Sequence, residues 1–179
     1  MENKVVKLLE DLNLMALNYD SYEYGLATDN SVELDKMCKL VNDFLANQSA
    51  NYLPEDEMTN LFLKAKSASE KTYSPFSNFP VGAAVLTNSG EIYTGSNVEN
   101  SSYGLTICAE RTVLSHMVGT GVRDIKAIAV FGTVESLSPC GACRQFIYEF
   151  GKDIIVVFLD NGSVIQKTIT ELLPYGFAF

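Results

Sequence analysis

The chain has 179 residues, enough for one domain of ordinary size or for one with an appendage. At 47% hydrophobic and 20% charged it can bury a real core, which excludes wholesale disorder. Its 22 acids against 13 bases give a net charge of −9, a balance that argues against the basic face needed for sequence-independent binding of nucleic acid.

The acidity is concentrated at the start. Residues 1–57 hold 12 acids and 4 bases, and residues 58–179 hold 10 and 9. Val5, Leu8, Leu9, Leu12 and Met15 or Ala16 recur at helical spacing over 1–17. Leu34, Met37, Cys38, Val41, Phe44 and Leu45 do so over 32–45. Asn18 to Asn30 is polar and reads as a loop, and Asn47 to Asp56, with Pro54 inside, reads as a joint. The expectation is an acidic, helical N-terminal extension over 1–57 and a second unit over 58–179. No run reaches the roughly 18 apolar residues of a membrane span. Glu10 and Asp11 interrupt the first apolar stretch, which argues against a secretory signal. Four cysteines are too few for a disulfide scaffold, and a vicinal C-x-x-C points to metal or redox chemistry in a reducing, cytoplasmic setting.

From Met58 the elements alternate. Leu61 to Ser69 reads as a short helix. Val81 to Leu86 and Ile92 to Gly95 read as strands around the turn Asn88-Ser89-Gly90. Cys108 to Val118 is a predicted helix, Ile125 to Phe131 a buried strand, and Cys140 to Phe150 another helix. Ile154 to Leu159 and Val164 to Lys167 are strands around Asp160-Asn161-Gly162, followed by a helical turn over Ile169 to Leu173. A hairpin followed by β-α-β-α-β alternation implies the α/β class, with a mixed sheet and helices on its faces.

Chemistry concentrates in Cys108-Ala109-Glu110 and Pro139-Cys140-Gly141-Ala142-Cys143. Both cysteine clusters open a predicted helix, where the dipole and unpaired backbone N–H groups favour a thiolate. Cys140 and Cys143 are one helical turn apart and can face one ion. Cys108 makes three ligands for zinc, and three ligands leave a fourth position for water, the pattern of a catalytic site. Glu110, two residues after Cys108, is placed to move a proton between that water and a substrate without itself ligating. Arg111 and Arg144, each next in line, are candidates to offset the excess negative charge of three thiolates. Two other readings share these residues: a structural site with Cys38 as fourth ligand, and a thioredoxin-like redox pair. The apolar stripe around Cys38, the third cysteine and the nearby Glu110 weigh against both. His116, the only histidine, lies about 12 Å along the helix from Cys108 and is assigned no catalytic role.

Five motifs in order resemble the cytidine deaminase family, in its small homotetrameric branch. They are Tyr73-Ser74-Pro75-Phe76-Ser77-Asn78-Phe79-Pro80-Val81-Gly82-Ala83-Ala84, Asn97-Val98-Glu99-Asn100, Cys108-Ala109-Glu110-Arg111-Thr112, Ser138-Pro139-Cys140-Gly141-Ala142-Cys143-Arg144-Gln145 and Glu171-Leu172-Leu173-Pro174. The resemblance covers roughly residues 58–179 and implies a three-layer α/β/α sandwich around a mixed, mostly five-stranded sheet. It implies one zinc per chain on Cys108, Cys140 and Cys143, with Glu110 as proton shuttle, and a cytidine or 2′-deoxycytidine substrate converted with release of ammonia. Phe79 would lie against the pyrimidine ring, Asn97 and Glu99 would hold the sugar 3′-OH, and backbone groups around Ala109 and Ser138 would hold the base and leaving group. Tyr103 and Phe177 match positions that complete a pocket shared between subunits of a homotetramer. The small residues Gly82, Ala83 and Ala84 are expected to let the Cys108 helix approach. Rival readings are a deaminase of nucleoside antibiotics such as blasticidin, a nucleoside-binding zinc protein without turnover, and a deaminase of RNA or DNA.

Overall fold

The computed structural model describes residues 52–178. The helices expected over 1–17 and 32–45, the loop between them and Cys38 lie outside the described residues. Within the described part, helix α1 spans Glu55–Ser69, followed by strands β1 (Val81–Thr87) and β2 (Ile92–Ser96) and a 3-10 turn at Tyr103–Leu105. Helix α2 (Ala109–Gly119), strand β3 (Ile125–Gly132), helix α3 (Gly141–Tyr148), strands β4 (Ile155–Asp160) and β5 (Ser163–Thr168) and the short helix α4 (Ile169–Leu172) complete it.

The five strands form one sheet in the order β2-β1-β3-β4-β5. Only the β3–β4 pair is parallel, as expected where a helix, here α3, returns the chain across the sheet. The period of two along each central strand divides its side chains between two cores. Ala83, Val85, Ile128, Val156 and Phe158 pack with Ala109, Val113, Leu114 and Met117 of α2 and Ile147 of α3. Ala84, Leu86, Ala127, Ala129, Ile155 and Val157 pack with Leu61, Phe62 and Ala65 of α1. The result is the expected α/β/α sandwich, with α1 on one face and the other helices on the opposite one.

Both hairpins form where turn residues predict them. Asn161 (φ 48°) and Gly162 (φ 74°) supply the two left-handed residues that join Asp160 to Ser163. Helix α1, in contrast, starts at Glu55 and not at Leu61. Its first turn carries Glu55, Asp56 and Glu57, which complement the positive end of the helix but show no apolar periodicity. Leu53, just ahead of it, is buried in the same core, with its N–H and carbonyl held by the Gln166 side chain at 2.9 and 3.0 Å.

The small-residue strand serves a different neighbour from the one expected. A Cβ at Gly82 would sit 2.0 Å from the Ala65 carbonyl oxygen, so this glycine admits α1 and not the Cys108 helix. Close approach of α2 is made possible by Gly95 on β2, where a Cβ would meet Val113 N at 2.7 Å. Ala83 alone of the three faces α2, because alternation turns Gly82 and Ala84 to the other side.

Candidate active site

The three cysteines meet at the N-terminal ends of α2 and α3. Cys108 is the N-cap residue of α2 and Cys140 that of α3, both in extended backbone conformation. Cys143 lies in the first turn of α3 and is buried. Their sulfurs all lie within 4.8 Å of one another. A tetrahedral zinc holds thiolates at about 2.3 Å, which sets sulfurs nearly 4 Å apart, so this cluster fits such an ion without rearrangement of the chain.

Electrostatics at the cluster are strained in the sense a cation relieves. The hydrogen bond from Cys143, and the nearby Arg111 guanidinium, hold the Cys108 thiol down at about 5 despite partial burial. Cys143 is pushed far the other way by that same bond to Cys108 and by burial, and so keeps its proton. A dication is what allows all three to ionise together. Arg111 Nη2 lies 3.7 Å from Cys108 Sγ and 3.2 Å from the Thr106 carbonyl oxygen. Arg144 does not play the similar part expected of it. Its three nitrogens bond Pro139 O (2.8 Å), Leu172 O (3.0 Å) and Ser138 Oγ (2.9 Å).

Glu110 is only 4% exposed, in the first turn of α2. Burial raises its carboxyl above the usual range, with the Cys108 charge adding to the effect. Interaction with the Cys143 thiol, which opposes that rise, sets the carboxyl against the sulfurs. Ala109, between ligand and acid, is fully buried.

The segment 97–99 is held between two others. Val98 pairs with Ile107 through reciprocal backbone bonds of 3.0 and 2.9 Å, and Tyr73 bonds Asn97 O and receives a bond from Glu99 N. This ladder fixes Ile107 and therefore the start of Cys108. The buried Asn97 side chain accepts from Thr72 Oγ1 and from Val81 N (2.9 Å) and donates to Phe79 O (3.0 Å). Both lone pairs of its oxygen are thereby taken, which leaves one amide N–H for a ligand. Glu99 Oε2 accepts from Phe76 N (2.8 Å) and Ser77 N (3.2 Å), and Oε1 from Ser77 Oγ. Its carboxyl is lowered by the Ser77 bond, with desolvation opposing and the two N–H donors adding to the lowering. Sequence reasoning does not reach Thr72 and Ser77; a lone Thr or Ser beside a proline-containing turn carries no signal of whom it will bond.

Phe79 is half-buried, its ring beside Gly132 near Leu137. Ser138 is exposed on the turn before Cys140. Tyr103 (77% exposed) and Phe177 (64%) lie open on the surface of the chain. Tyr103 stands edge-on to Phe76 at 6.0 Å, and the Phe177 carbonyl accepts from Gln145 Nε2 at 2.8 Å. His116 is an exposed residue packed edge-on to Tyr93.

Comparison with known proteins agrees with this geometry. The family model for the cytidine and deoxycytidylate deaminase zinc-binding region matches residues 56–159. The cytidine deaminase of Sporosarcina psychrophila is 46% identical over 125 residues, covering 68% of this chain and 92% of that protein. The blasticidin-S deaminase of Bacillus cereus is 33% identical over 106 residues, covering 54% of this chain and 76% of that one. Among solved structures, the cytidine deaminase from Burkholderia pseudomallei superposes with a TM-score of 0.63 at 47% identity, covering 66% of this chain and 98% of that one. The matched residues contain all three cysteines, Glu110 and the Asn97–Glu99 segment, and the chain belongs to the cytidine and deoxycytidylate deaminase zinc-binding family.

Proposed function

We propose that this chain is a zinc-dependent hydrolase that deaminates cytidine and 2′-deoxycytidine to uridine and 2′-deoxyuridine, releasing ammonia in pyrimidine salvage. The observation that carries the reading is the buried Glu110 carboxyl set against three sulfurs that fit one metal ion. Cys108, Cys140 and Cys143 would hold the zinc, which would make a bound water acidic enough to lose a proton near neutral pH. Glu110, its carboxyl raised by burial, would carry the first proton of that water to ring N3 and the second to the amino group, which leaves as ammonia while the water oxygen stays on C4. Water and cytidine in, uridine and ammonia out, balance without a further reactant.

The remaining residues bind and orient. Glu99 Oε1, which among the described residues accepts from Ser77 alone, keeps room to accept from the sugar 3′-OH, and the spare amide N–H of Asn97 donates to it. Phe79 packs against the pyrimidine, and backbone groups at Ala109 and Ser138 hold its polar edge. Arg111 offsets the charge of the thiolates.

We read the assembly as a homotetramer with shared pockets. Exposed Tyr73, Phe76, Val98, Tyr103, Leu105 and Ile107 cluster on the loops around the site, and covering them by neighbouring subunits would place Tyr103 and Phe177 over a pocket. Residues 1–57 we read as an acidic helical extension of a deaminase domain over 58–179, with the joint drawn back toward residue 51, since Leu53 and the first turn of α1 already belong to the domain and the family match starts at residue 56. Three free cysteines kept as ligands favour a reducing compartment, the cytoplasm. Among the described residues no helix is long and apolar enough to cross a membrane.

The test is the fall in ultraviolet absorbance when purified protein meets cytidine or deoxycytidine, run beside zinc quantitation. Turnover with one zinc per chain is the expected result. Zinc with turnover on blasticidin S alone would replace the proposed substrate, and zinc with no turnover on any of the three would leave a binding protein.

A further inference from the structure

Cys140 and Cys143 are held by different means. Cys143 belongs to the hydrogen-bonded ladder of α3 and is buried, so the helix itself fixes its sulfur. Cys140 is exposed and sits outside the helix, at backbone angles of −65° and 164°. Its sulfur is placed only as well as the turn Ser138-Pro139-Cys140 is placed. That turn is bound from one side by Arg144. Nε donates to Pro139 O at 2.8 Å and Nη2 to Ser138 Oγ at 2.9 Å. Nη1 donates to Leu172 O, the last carbonyl of α4, at 3.0 Å. One guanidinium thus fastens the two residues before a metal ligand to the C-terminal end of a separate helix. Its neighbour Gln145 fastens the segment after α4, through Phe177 O.

We propose that Arg144 is a positioning residue for the metal site: its fork clamps the Ser138–Pro139 turn onto the end of α4, and thereby sets the Cys140 sulfur. It rests on the reading of the three cysteines as zinc ligands. The two arginines that follow the cysteine clusters divide the work. Among the described residues Arg111 reaches a sulfur, whereas Arg144 reaches none and acts through two backbone carbonyls and the Ser138 hydroxyl. Three acceptors in three directions need a planar fork of donors. A lysine ammonium at this place reaches fewer of them, and a glutamine carboxamide fewer still. Metal ligation tolerates displacements of only about 0.2 Å, so a loosened turn is felt at the ion before it is felt in the fold.

Zinc affinity is measured by chelator competition on full-length wild type, R144K, R144Q and the exposed-site control R123Q, at a temperature well below each protein's own melting transition. The thiolate-to-metal absorption of the cobalt-loaded forms is recorded alongside. R144Q is expected to weaken zinc about 10- to 100-fold and to diminish the cobalt–thiolate band, with R144K between it and wild type and R123Q unchanged. A merely structural arginine would lower the melting temperature and leave zinc affinity and the cobalt spectrum alone; that result in both R144Q and R144K overturns the proposal. If R144Q does not fold, R144K decides by the same comparison. Wild type that binds no zinc would refute the cysteine triad itself, whereas tight zinc in wild type and undiminished zinc in the variants refutes the role of Arg144 alone.

Discussion

Arg111 Nη2 lies 3.7 Å from Cys108 Sγ, and its Nε is buried without a hydrogen bond among the described residues. The guanidinium is therefore partly desolvated for the sake of one sulfur and one carbonyl, a placement that makes sense only against thiolate charge. Three thiolates around a dication leave a net negative centre, and a fixed cation beside one sulfur lowers that excess. Replacing Arg111 by Gln is expected to reduce zinc affinity or kcat/KM by about tenfold or more. Chelator competition and steady-state kinetics on one preparation separate the two.

Glu110→Gln keeps the size of a buried side chain and removes the proton carrier. Proton transfer by a positioned side chain contributes about 10²- to 10⁴-fold, so kcat is expected to fall by at least that range while zinc content stays at the wild-type level. Near-normal turnover in a fully metallated Glu110→Gln variant would remove the residue from the mechanism.

How much of the molecule is legible in its sequence follows from what each feature depends on. The metal triad depends on spacing along the chain and on helix starts, both of which are local. Cys108-Ala109-Glu110 and Cys140-Gly141-Ala142-Cys143 are accordingly legible in the sequence by itself. Hairpins at Asn88–Gly90 and Asn161–Gly162 are equally local, set by residues that accept positive φ. The start of α1 escapes the apolar pattern because Glu55 to Glu57 are stabilised by the helix dipole and not by an apolar stripe. The sequence points Gly82 to the wrong partner because which helix covers which face of a strand is a tertiary fact. The double commitment of Asn97, to Thr72 and Val81 on one side and Phe79 on the other, and the three-way fork of Arg144 are invisible in the sequence for the same reason.

Glu99 ties pH to the order of the Tyr73–Pro80 turn. Its carboxyl is lowered by Ser77 Oγ–H and by the N–H groups of Phe76 and Ser77, so the folded value lies below the unfolded one. The stability it lends is complete above the ordinary carboxylate range and is lost as pH falls through the lowered value. Glu99→Gln loses two of the acceptor positions at any pH. The urea midpoint of wild type should exceed that of the variant at neutral pH, and the gap should close in acid. A gap independent of pH would show that the carboxylate charge is not what holds the turn.

Asn97 is expected to matter twice. Its buried side chain makes three hydrogen bonds that join the end of β2 to Thr72, Phe79 and the start of β1. Truncation to Ala strands Val81 N–H and Phe79 O, and unsatisfied buried groups cost about 1–3 kcal/mol each. Asn97→Ala should therefore lower Tm and raise KM together, through a displaced Phe79. Asn97→Asp keeps the acceptor toward Val81 but sets a carboxylate oxygen against Phe79 O, and should fall between wild type and Ala in stability. If the Asn97→Asp variant matches wild type in Tm, the bond to Phe79 contributes nothing measurable.

Two glycines give opposite expectations from one substitution. At Gly82 a Cβ would lie 2.0 Å from Ala65 O and 2.4 Å from Ser69 N, both backbone atoms of α1 that have no rotamer to yield. At Gly119, the last residue of α2, a Cβ meets nothing within 4 Å among the described residues. Overpacking of a dense core costs about 1–3 kcal/mol, and contact with helix backbone places Gly82→Ala at or beyond the top of that range. Gly119→Ala restricts only the unfolded chain and should stabilise by about 0.4–1 kcal/mol. Urea unfolding of the two variants beside wild type reads both signs. A mild effect at Gly82 would mean that α1 can slide on the sheet. Helix α1 packs on the face of the sheet opposite α2 and α3, so such sliding should leave zinc affinity intact while the midpoint moves.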